Sequence, residues 1–316
     1  MDDKWDFLLS EFRKLGGVAD NVCQREGQYG RGIFPIDPNS AARIFTPSKL
    51  LIKQDDICLE DKKLRIKKDR YYNQEIRNFF NFYQDNFSWG SGGKETTELF
   101  EKGLNLFNSN LKDLIKKFAL VDLEDRHRGE WDEVVKNQFL SARAISFRDI
   151  EVIAPIWELT NHQVKSLPFS ITKEGITTPN YPPSNREIRH SYNNLSPLKR
   201  FFSYGFFSEE TIVFSIPFRT SIENLGINIF CKGMALKDDS MKIERSGNKI
   251  SIEGLPIFDV NHPRLPYDYC DEILSKMGCD NVPIDFLTKI FQLNISIRKK
   301  ILNETKSIDN EASKML

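Results

Sequence analysis

A long helical block set inside β-patterned chain limits the possible folds more than any other feature. From about Arg70 to Ala144 apolar side chains recur at helical spacing, whereas the flanking segments carry short apolar runs broken by Gly, Pro and Asn. Ile76, Phe79, Phe80, Tyr83 and Phe87 form one stripe. Phe100, Leu104, Phe107, Leu111, Leu114, Ile115 and Phe118 form a second, and Trp131, Val134, Val135 and Phe139 a third. Ser88-Trp89-Gly90-Ser91-Gly92-Gly93 parts the first two, since glycine is a poor helix former. All three stripes read as faces packed on a core, and so do most of the 24 phenylalanines.

Ahead of the block, Trp5, Leu8, Leu9, Phe12 and Leu15 predict an amphipathic helix from Asp2, stopped by Gly16-Gly17. Short strands and turns are expected from Val18 to Ile52, with apolar runs at Gly32 to Pro35, Ala41 to Phe45 and Leu50 to Ile52. Short strands return from Arg148 to Phe218, around the proline-rich loop Thr178 to Pro183. Lys242 to Arg245 and Lys249 to Ile252 flank a Ser-Gly-Asn turn, as in a hairpin. Val282-Pro283 then opens a helical stretch carrying Leu287, Ile290, Phe291, Ile297 and Ile301. At 316 residues the chain has room for about two domains.

Forty-five Lys and Arg balance forty-five Asp and Glu, which argues against a general nucleic-acid binder and against a face built for basic histone tails. No apolar run reaches the roughly 20 residues of a membrane-spanning helix, and the start Met1-Asp2-Asp3-Lys4 is unlike a signal peptide, so a cytoplasmic location without membrane contact is expected. Five scattered cysteines, four histidines and no CxxC or HExxH predict neither disulfide framework nor metal site. The run Lys62 to Arg70 holds six basic residues in nine; Asp55, Asp56, Glu60 and Asp61 just before it make a balanced, solvated surface the preferred reading over substrate docking.

Three segments could carry chemistry. Tyr29-Gly30-Arg31-Gly32 places two glycines where a ligand can approach the backbone, although a lone GxG is usually a tight turn. Glu158-Leu159-Thr160-Asn161-His162 follows an apolar run, a position where Asn and His can read the polar edge of a ligand. Glu187 to Tyr192, followed by Tyr204-Gly205-Phe206, reads residue by residue as aromatic packing at strand ends.

Taken in order, these segments resemble the SET-domain protein methyltransferases, in the branch that includes the Rubisco large-subunit lysine methyltransferase. That branch has a G-x-G turn, a helical insertion, S-R-A-[aromatic], D-x-x-N-H, E-[apolar]-x-x-S-Y and Y-G-F. The chain answers with Gly30-Arg31-Gly32, the helical block, Ala142-Arg143-Ala144-Ile145, Glu158 to His162, Glu187 to Tyr192, and Tyr204 to Phe206. It departs at Ala142 for Ser, Ile145 for the aromatic and Glu158 for Asp, and it lacks the cysteine-rich zinc segment of histone-directed relatives.

The resemblance implies an α+β fold: a SET domain of short, mostly antiparallel strands over residues 1–209, with a helical insertion at about 60–140. A mixed, largely helical C-terminal domain over 210–316 would follow, as a candidate substrate-binding part. It implies S-adenosylmethionine as cofactor and transfer of its methyl group to a lysine of a non-histone protein. Tyr29, Gly30, Arg31 and Gly32 would meet the methionine part, Arg143 its carboxylate, and Asn161 and His162 its amino group and adenine. Glu158 joins this set in the place of the usual Asp, and Phe206 would pack on the adenine. Ile145 and Tyr204 would border the acceptor, and Tyr192 would orient the reactants as the catalytic residue. Two alternatives stay open: an inactive SET-like interaction module, and a methyltransferase acting on histidine.

Overall fold

The computed structural model describes residues 3–117, 121–163, 166, 169–179, 181–192, 197–206, 212–214, 218–222, 226–231, 242–253, 256–259, 275, 292, 296, 300, 301 and 303. The chain divides into two compact units, residues 1–98 with 129–192, and residues 99–128 with 193–316. This differs from the sequence-based division at 209/210: the break falls after Tyr192, and the middle of the helical block belongs to the second unit.

The first unit opens with α1 (Asp3–Lys14), whose buried face is Trp5, Leu8, Leu9 and Phe12. Its acidic first turn and basic last turn suit the helix dipole. Short strands follow: β1 (Val18–Asp20), β2 (Val22–Gly27), β3 (Gly30–Pro35), β4 (Arg43–Pro47), β5 (Ile52–Lys53), β6 (Ile57–Glu60) and β7 (Lys63–Ile66). The run expected as a strand from Leu50 to Ile52 is a 3-10 turn over Ser48–Leu50 leading into β5. Next comes α2 (Gln74–Phe87), capped by the Asn73 side chain, which accepts from the Ile76 amide. Its stripe Ile76, Phe79, Phe80, Tyr83 and Phe87 is buried as the spacing predicts. Phe12 stacks on Phe79 at 5.8 Å and Trp5 meets Phe87 edge-on at 5.3 Å, so α1 and α2 share one aromatic core. Each such buried ring contributes about 1.5–3 kcal/mol.

The second stripe does not form one helix. It makes α3 (Gly93–Asn105) and α4 (Ser109–Lys117), because Asn108 accepts from the Leu111 amide at 2.8 Å and so starts a new helix. Phe118 lies outside the described residues. A short α5 (Leu123–Arg126) and then α6 (Trp131–Ser141) complete the block. The chain returns to strands with β8 (Ile145–Phe147), β9 (Ile150–Ile153), β10 (Asn161–His162), β11 (Ser170–Ile171), β12 (Gly175–Thr177) and β13 (Arg189–His190). Pairing in the first unit is antiparallel in the sheets β1-β4-β12-β11 and β5-β9-β8 and in the hairpins β2-β3 and β6-β7; β10 and β13 pair in parallel.

The second unit continues with α7 (Pro197–Tyr204), a helix where aromatic strand ends were expected; Pro197 stands at its first position. Then come β14 (Ile212–Phe214), β15 (Phe218–Ile222), β16 (Ile227–Cys231), β17 (Lys242–Ser246), β18 (Lys249–Glu253) and β19 (Pro256–Asp259). The hairpin expected around Ser246-Gly247-Asn248 is β17-β18. Between 210 and 260 the described elements are strands; the helical stretch expected from Val282-Pro283 lies mostly outside the described residues, but each described residue beyond Pro283, namely Gln292, Ser296, Lys300, Ile301 and Asn303, is helical, and Ile301 is buried. The architecture is α+β, with short and mostly antiparallel strands.

Around Leu104, Phe107, Phe201 and Phe202, all buried, the second unit holds an ionic cluster. The fully buried Glu101 carboxylate accepts from Arg126 Nε (3.1 Å) and Nη2 (2.6 Å) and faces His127 Nε2 at 2.8 Å. Arg126 also donates to the Phe202 carbonyl (2.7 Å), so one carboxylate joins α3, α5 and α7. Glu101→Ala would leave the Arg126 guanidinium and the His127 imidazole facing a void. It is expected to destabilise the protein by about 3–5 kcal/mol in denaturant melts, as breaking a buried ion pair does, with Glu101→Gln costing less.

Candidate functional site

The parallel β10-β13 pair sets Asn161 opposite Arg189 and His162 opposite His190. Because side chains alternate along a strand, the two faces of this ladder differ in chemistry. Asn161, Glu187 and Arg189 lie on one face, towards the β2-β3 hairpin. His162 and His190 lie on the other, with Tyr192 beside them.

On the first face three distant segments meet. Asn161 Nδ2 donates to the Glu187 carboxylate at 2.6 Å and to the Arg31 carbonyl at 3.2 Å. The Ile188 amide donates to the Ile33 carbonyl at 2.7 Å and ties the same segment to β3. Gly32 is what permits this packing: a Cβ there would collide with the Glu187 carboxylate and crowd Asn161 Nδ2 at 3.0 Å. Gly30 has φ +80°, a left-handed conformation that glycine adopts without strain, and a Cβ there would meet nothing within 4 Å. The G-x-G segment therefore lies inside β3 and its hairpin rather than ahead of the strand. Arg31 donates to the Ser91 carbonyl and pairs with Glu26 at 3.6 Å; Tyr29 at the hairpin tip is exposed.

On the other face Tyr192 donates its hydroxyl proton to the Thr160 carbonyl (3.0 Å), and its amide donates to His162 Nδ1 (3.2 Å). Tyr192 packs against both imidazoles, 5.3 Å from His162 and 4.8 Å from His190. His190 is buried against Trp157 at 3.9 Å. The Thr160 hydroxyl spends its proton on the Trp157 carbonyl (2.7 Å), so His190 Nδ1 donates to Thr160 Oγ1 (2.6 Å) and the ring is the neutral Nδ1–H tautomer. Burial, helped by the neighbouring His162, holds the His190 pKa down at about 3.

Glu158 calls for a correction. Rather than lining the crevice, its side chain is wholly buried and accepts from Tyr83 Oη (2.6 Å) and Ser88 Oγ (2.9 Å). Its other oxygen stands 3.7 Å from Arg143 Nε. Burial pushes the carboxyl up and the guanidinium pulls it back; Tyr83 beside it is raised well above its ordinary value by burial. Glu158 therefore orients Arg143, whose guanidinium also lies 3.9 Å over the Phe139 ring. Tyr83 and Ser88 were missed as polar anchors because their sequence signals are those of a helical stripe and a turn. The preceding Ile156 has φ +68°, a costly conformation for a β-branched residue, held within the buried core.

The remaining candidates are dispersed. Ile145 begins β8 and is half-buried. Tyr204 and Phe206 belong to the second unit, their rings 6.1 Å apart. The basic run is met locally: Arg65 forks onto Asp85 (2.9 and 2.8 Å), Arg70 pairs with Asp56 (3.0 Å), Lys67 donates to the Asp55 carbonyl (2.6 Å) and Lys68 lies 3.8 Å from Glu60. Among the described residues no group of His, Cys, Asp and Glu could hold a metal, and no helix is long and apolar enough to cross a membrane.

No protein-family model and no curated protein matches the chain. Among solved structures it is similar to Rubisco LSMT bound to AdoMet, with 14% identity and a TM-score of 0.42 over 70% of this chain and 60% of that one. It is also similar to the SET domain of LSMT bound to lysine and AdoHcy, with 15% identity and a TM-score of 0.40 over 70% and 61%. Rubisco LSMT bound to sinefungin and monomethyllysine gives 14% identity and a TM-score of 0.43 over 70% and 60%. The chain thus spans about three-fifths of the length of the solved chains it matches.

Two outcomes follow from the ladder. Gly32→Ala is expected to expel the Glu187 carboxylate from Asn161 at a cost of about 1 kcal/mol, measurable by denaturant melts. His190 titrates lower when folded than when unfolded, so its contribution to stability is complete above pH 6.5 and is lost as pH falls towards 3. The expected slope is up to about 1.4 kcal/mol per pH unit in that window, and His190→Asn should flatten it.

Proposed function

We propose that this chain is an S-adenosylmethionine-dependent protein methyltransferase of the SET type, acting on a lysine ε-amine of a non-histone protein. The observation that carries the reading is the meeting of Gly32, the Arg31 carbonyl, Asn161 and Glu187, residues from three of the motifs on which the resemblance rests, at one ladder. Their chemistry fits the methionine part of the cofactor. The Arg31 carbonyl and the Glu187 carboxylate are acceptors suited to an ammonium group, and the open side of Gly30 admits a ligand to the backbone. Arg143, partly exposed and oriented by buried Glu158, presents a guanidinium to a carboxylate. His162 supplies a ring at the edge of the same strand. The cofactor, when bound, supplies a methyl group activated on a sulfonium.

The protein's own contribution is positioning and proton control. A lysine amine attacks only when neutral, while its free pKa is near 10.4. Apolar and aromatic walls such as Ile145 would desolvate it and favour the neutral form. Tyr192 commits its proton to the Thr160 carbonyl, which leaves its hydroxyl oxygen the role of an acceptor that can orient the amine. The roles given to Tyr204 and Phe206 rest on their motif alone.

Calorimetry with S-adenosylmethionine is the first test: binding is expected, and a folded sample that binds none would overturn the reading. Radiolabelled transfer to proteins of a cell lysate, followed by mass spectrometry of the modified residue, should then find methyl-lysine. Tyr192→Phe is expected to lower transfer about 100-fold with cofactor affinity unchanged. If Tyr192→Phe is fully active and Tyr204→Phe is not, the catalytic phenol is Tyr204.

A further inference from the structure

Behind the ladder stands a buried polar pair that the proposed reaction does not use, Thr160 and His190, 1% and 3% exposed. Both fall where the motifs specify no residue type: Thr160 lies between Glu158 and Asn161, and His190 two residues before Tyr192. An imidazole at a position where a phenylalanine would pack costs free energy unless its polar atoms are used. Here one of them is used, since His190 Nδ1–H donates to Thr160 Oγ1 at 2.6 Å. Burial keeps the ring neutral at physiological pH, so it serves as a hydrogen-bond donor and not as a charge.

Thr160 is held on three sides. Its hydroxyl accepts from His190 and donates to the Trp157 carbonyl at 2.7 Å, and its own carbonyl accepts the Tyr192 phenol proton at 3.0 Å. Residues two apart on an extended chain share a face, so His190 and Tyr192 reach Thr160 side by side, one at its side chain and one at its carbonyl. Thr160, His190, Ser191 and Tyr192 thus close a small ring of covalent and hydrogen bonds. A phenol tied by one hydrogen bond can swing about it. Here the anchoring residue is itself gripped from the chain that carries the phenol, and a swing must break a second bond. The backbone of the ring is pinned as well: the Gln163 amide donates to the His190 carbonyl (2.9 Å) and the Tyr192 amide to His162 Nδ1 (3.2 Å). The Trp157 ring packs on His190 with centroids 3.9 Å apart.

We propose that Thr160 and His190 are positioning residues for the methyl transfer, acting together through the Tyr192 phenol. They fix where Tyr192 Oη presents its acceptor to the amine, in a reaction whose rate depends on alignment within about 1 Å. The inference rests on the reading of Tyr192 as the catalytic residue.

The test uses the full chain with three measurements: radiolabel transfer to lysate proteins, S-adenosylmethionine affinity by calorimetry, and NMR of ring-labelled tyrosine, with the Tyr192 signal assigned by its loss in Tyr192→Phe. Thr160→Val and His190→Phe each keep the shape and remove the hydrogen bond between the pair. Each is expected to lower transfer by roughly tenfold or more, to leave cofactor affinity unchanged and to move the Tyr192 ring resonance. Thr160→Ser and His190→Asn, which keep an acceptor and a donor, should restore much of the rate. In the Tyr192→Phe background neither lesion should lower transfer further, because both act through the phenol. Full activity in Thr160→Val and His190→Phe, or the same fractional loss with and without the Tyr192 hydroxyl, overturns the proposal. Long-range 15N NMR of the wild-type protein, which needs no variant to fold, should find His190 protonated at Nδ1, and a bare Nδ1 overturns it too. Wild-type protein that neither binds S-adenosylmethionine nor transfers its methyl group overturns the methyltransferase reading instead, and the Tyr192 resonance then decides whether the pair holds the phenol.

Discussion

The side-chain amide of Asn161 is the contact on which the candidate site depends. It spans the Arg31 carbonyl and the Glu187 carboxylate, and so joins the β2-β3 hairpin, the segment after the buried strand β9 and the approach to β13. Both donated bonds are short enough to hold only because Gly32 has no side chain. A parallel pair of two residues each would be a weak element by itself. Side-chain hydrogen bonds across it, on Asn161 in front and on His190 and Tyr192 behind, supply the order that so short a ladder cannot.

Charge is handled in the same way in both units, by burying a carboxylate under several donors. Glu158 accepts from two hydroxyls and pairs at 3.7 Å with a guanidinium, and Glu101 takes a guanidinium fork and an imidazole. Such clusters add little net stability compared with apolar packing, but they are costly to break and so favour one arrangement of helices. In the first unit that arrangement aims Arg143; in the second it gathers α3, α5 and α7.

Much of the fold could be read from local pattern. The stripe from Ile76 to Phe87 lies on a helix and in the core as its period requires, and the Ser246-Gly247-Asn248 turn closes a hairpin. The second stripe misled because its apolar period runs unbroken from Leu104 through Phe107 to Leu111, while the break is made by a polar cap at Asn108. Likewise Tyr204 ends a helix, since Pro197 opens α7 where aromatic spacing alone suggested strand ends. In the site, motif order named the segments that hold Gly32, Asn161 and Glu187, but their meeting at one ladder is tertiary. The role of Glu158 was not legible: its wrapping by Tyr83 and Ser88, some seventy residues away, leaves no local trace.

By itself the sequence determined the alternation of short strands with an aromatic helical block, the absence of a basic excess, and the order of the motif segments. These are properties of neighbours along the chain, where period and composition act. Only the tertiary structure decided which face of the ladder each polar residue occupies and that buried Glu158 pairs with Arg143. Burial and pairing of charge depend on groups brought together across the fold, and the low dielectric that makes them matter exists only once the core has closed.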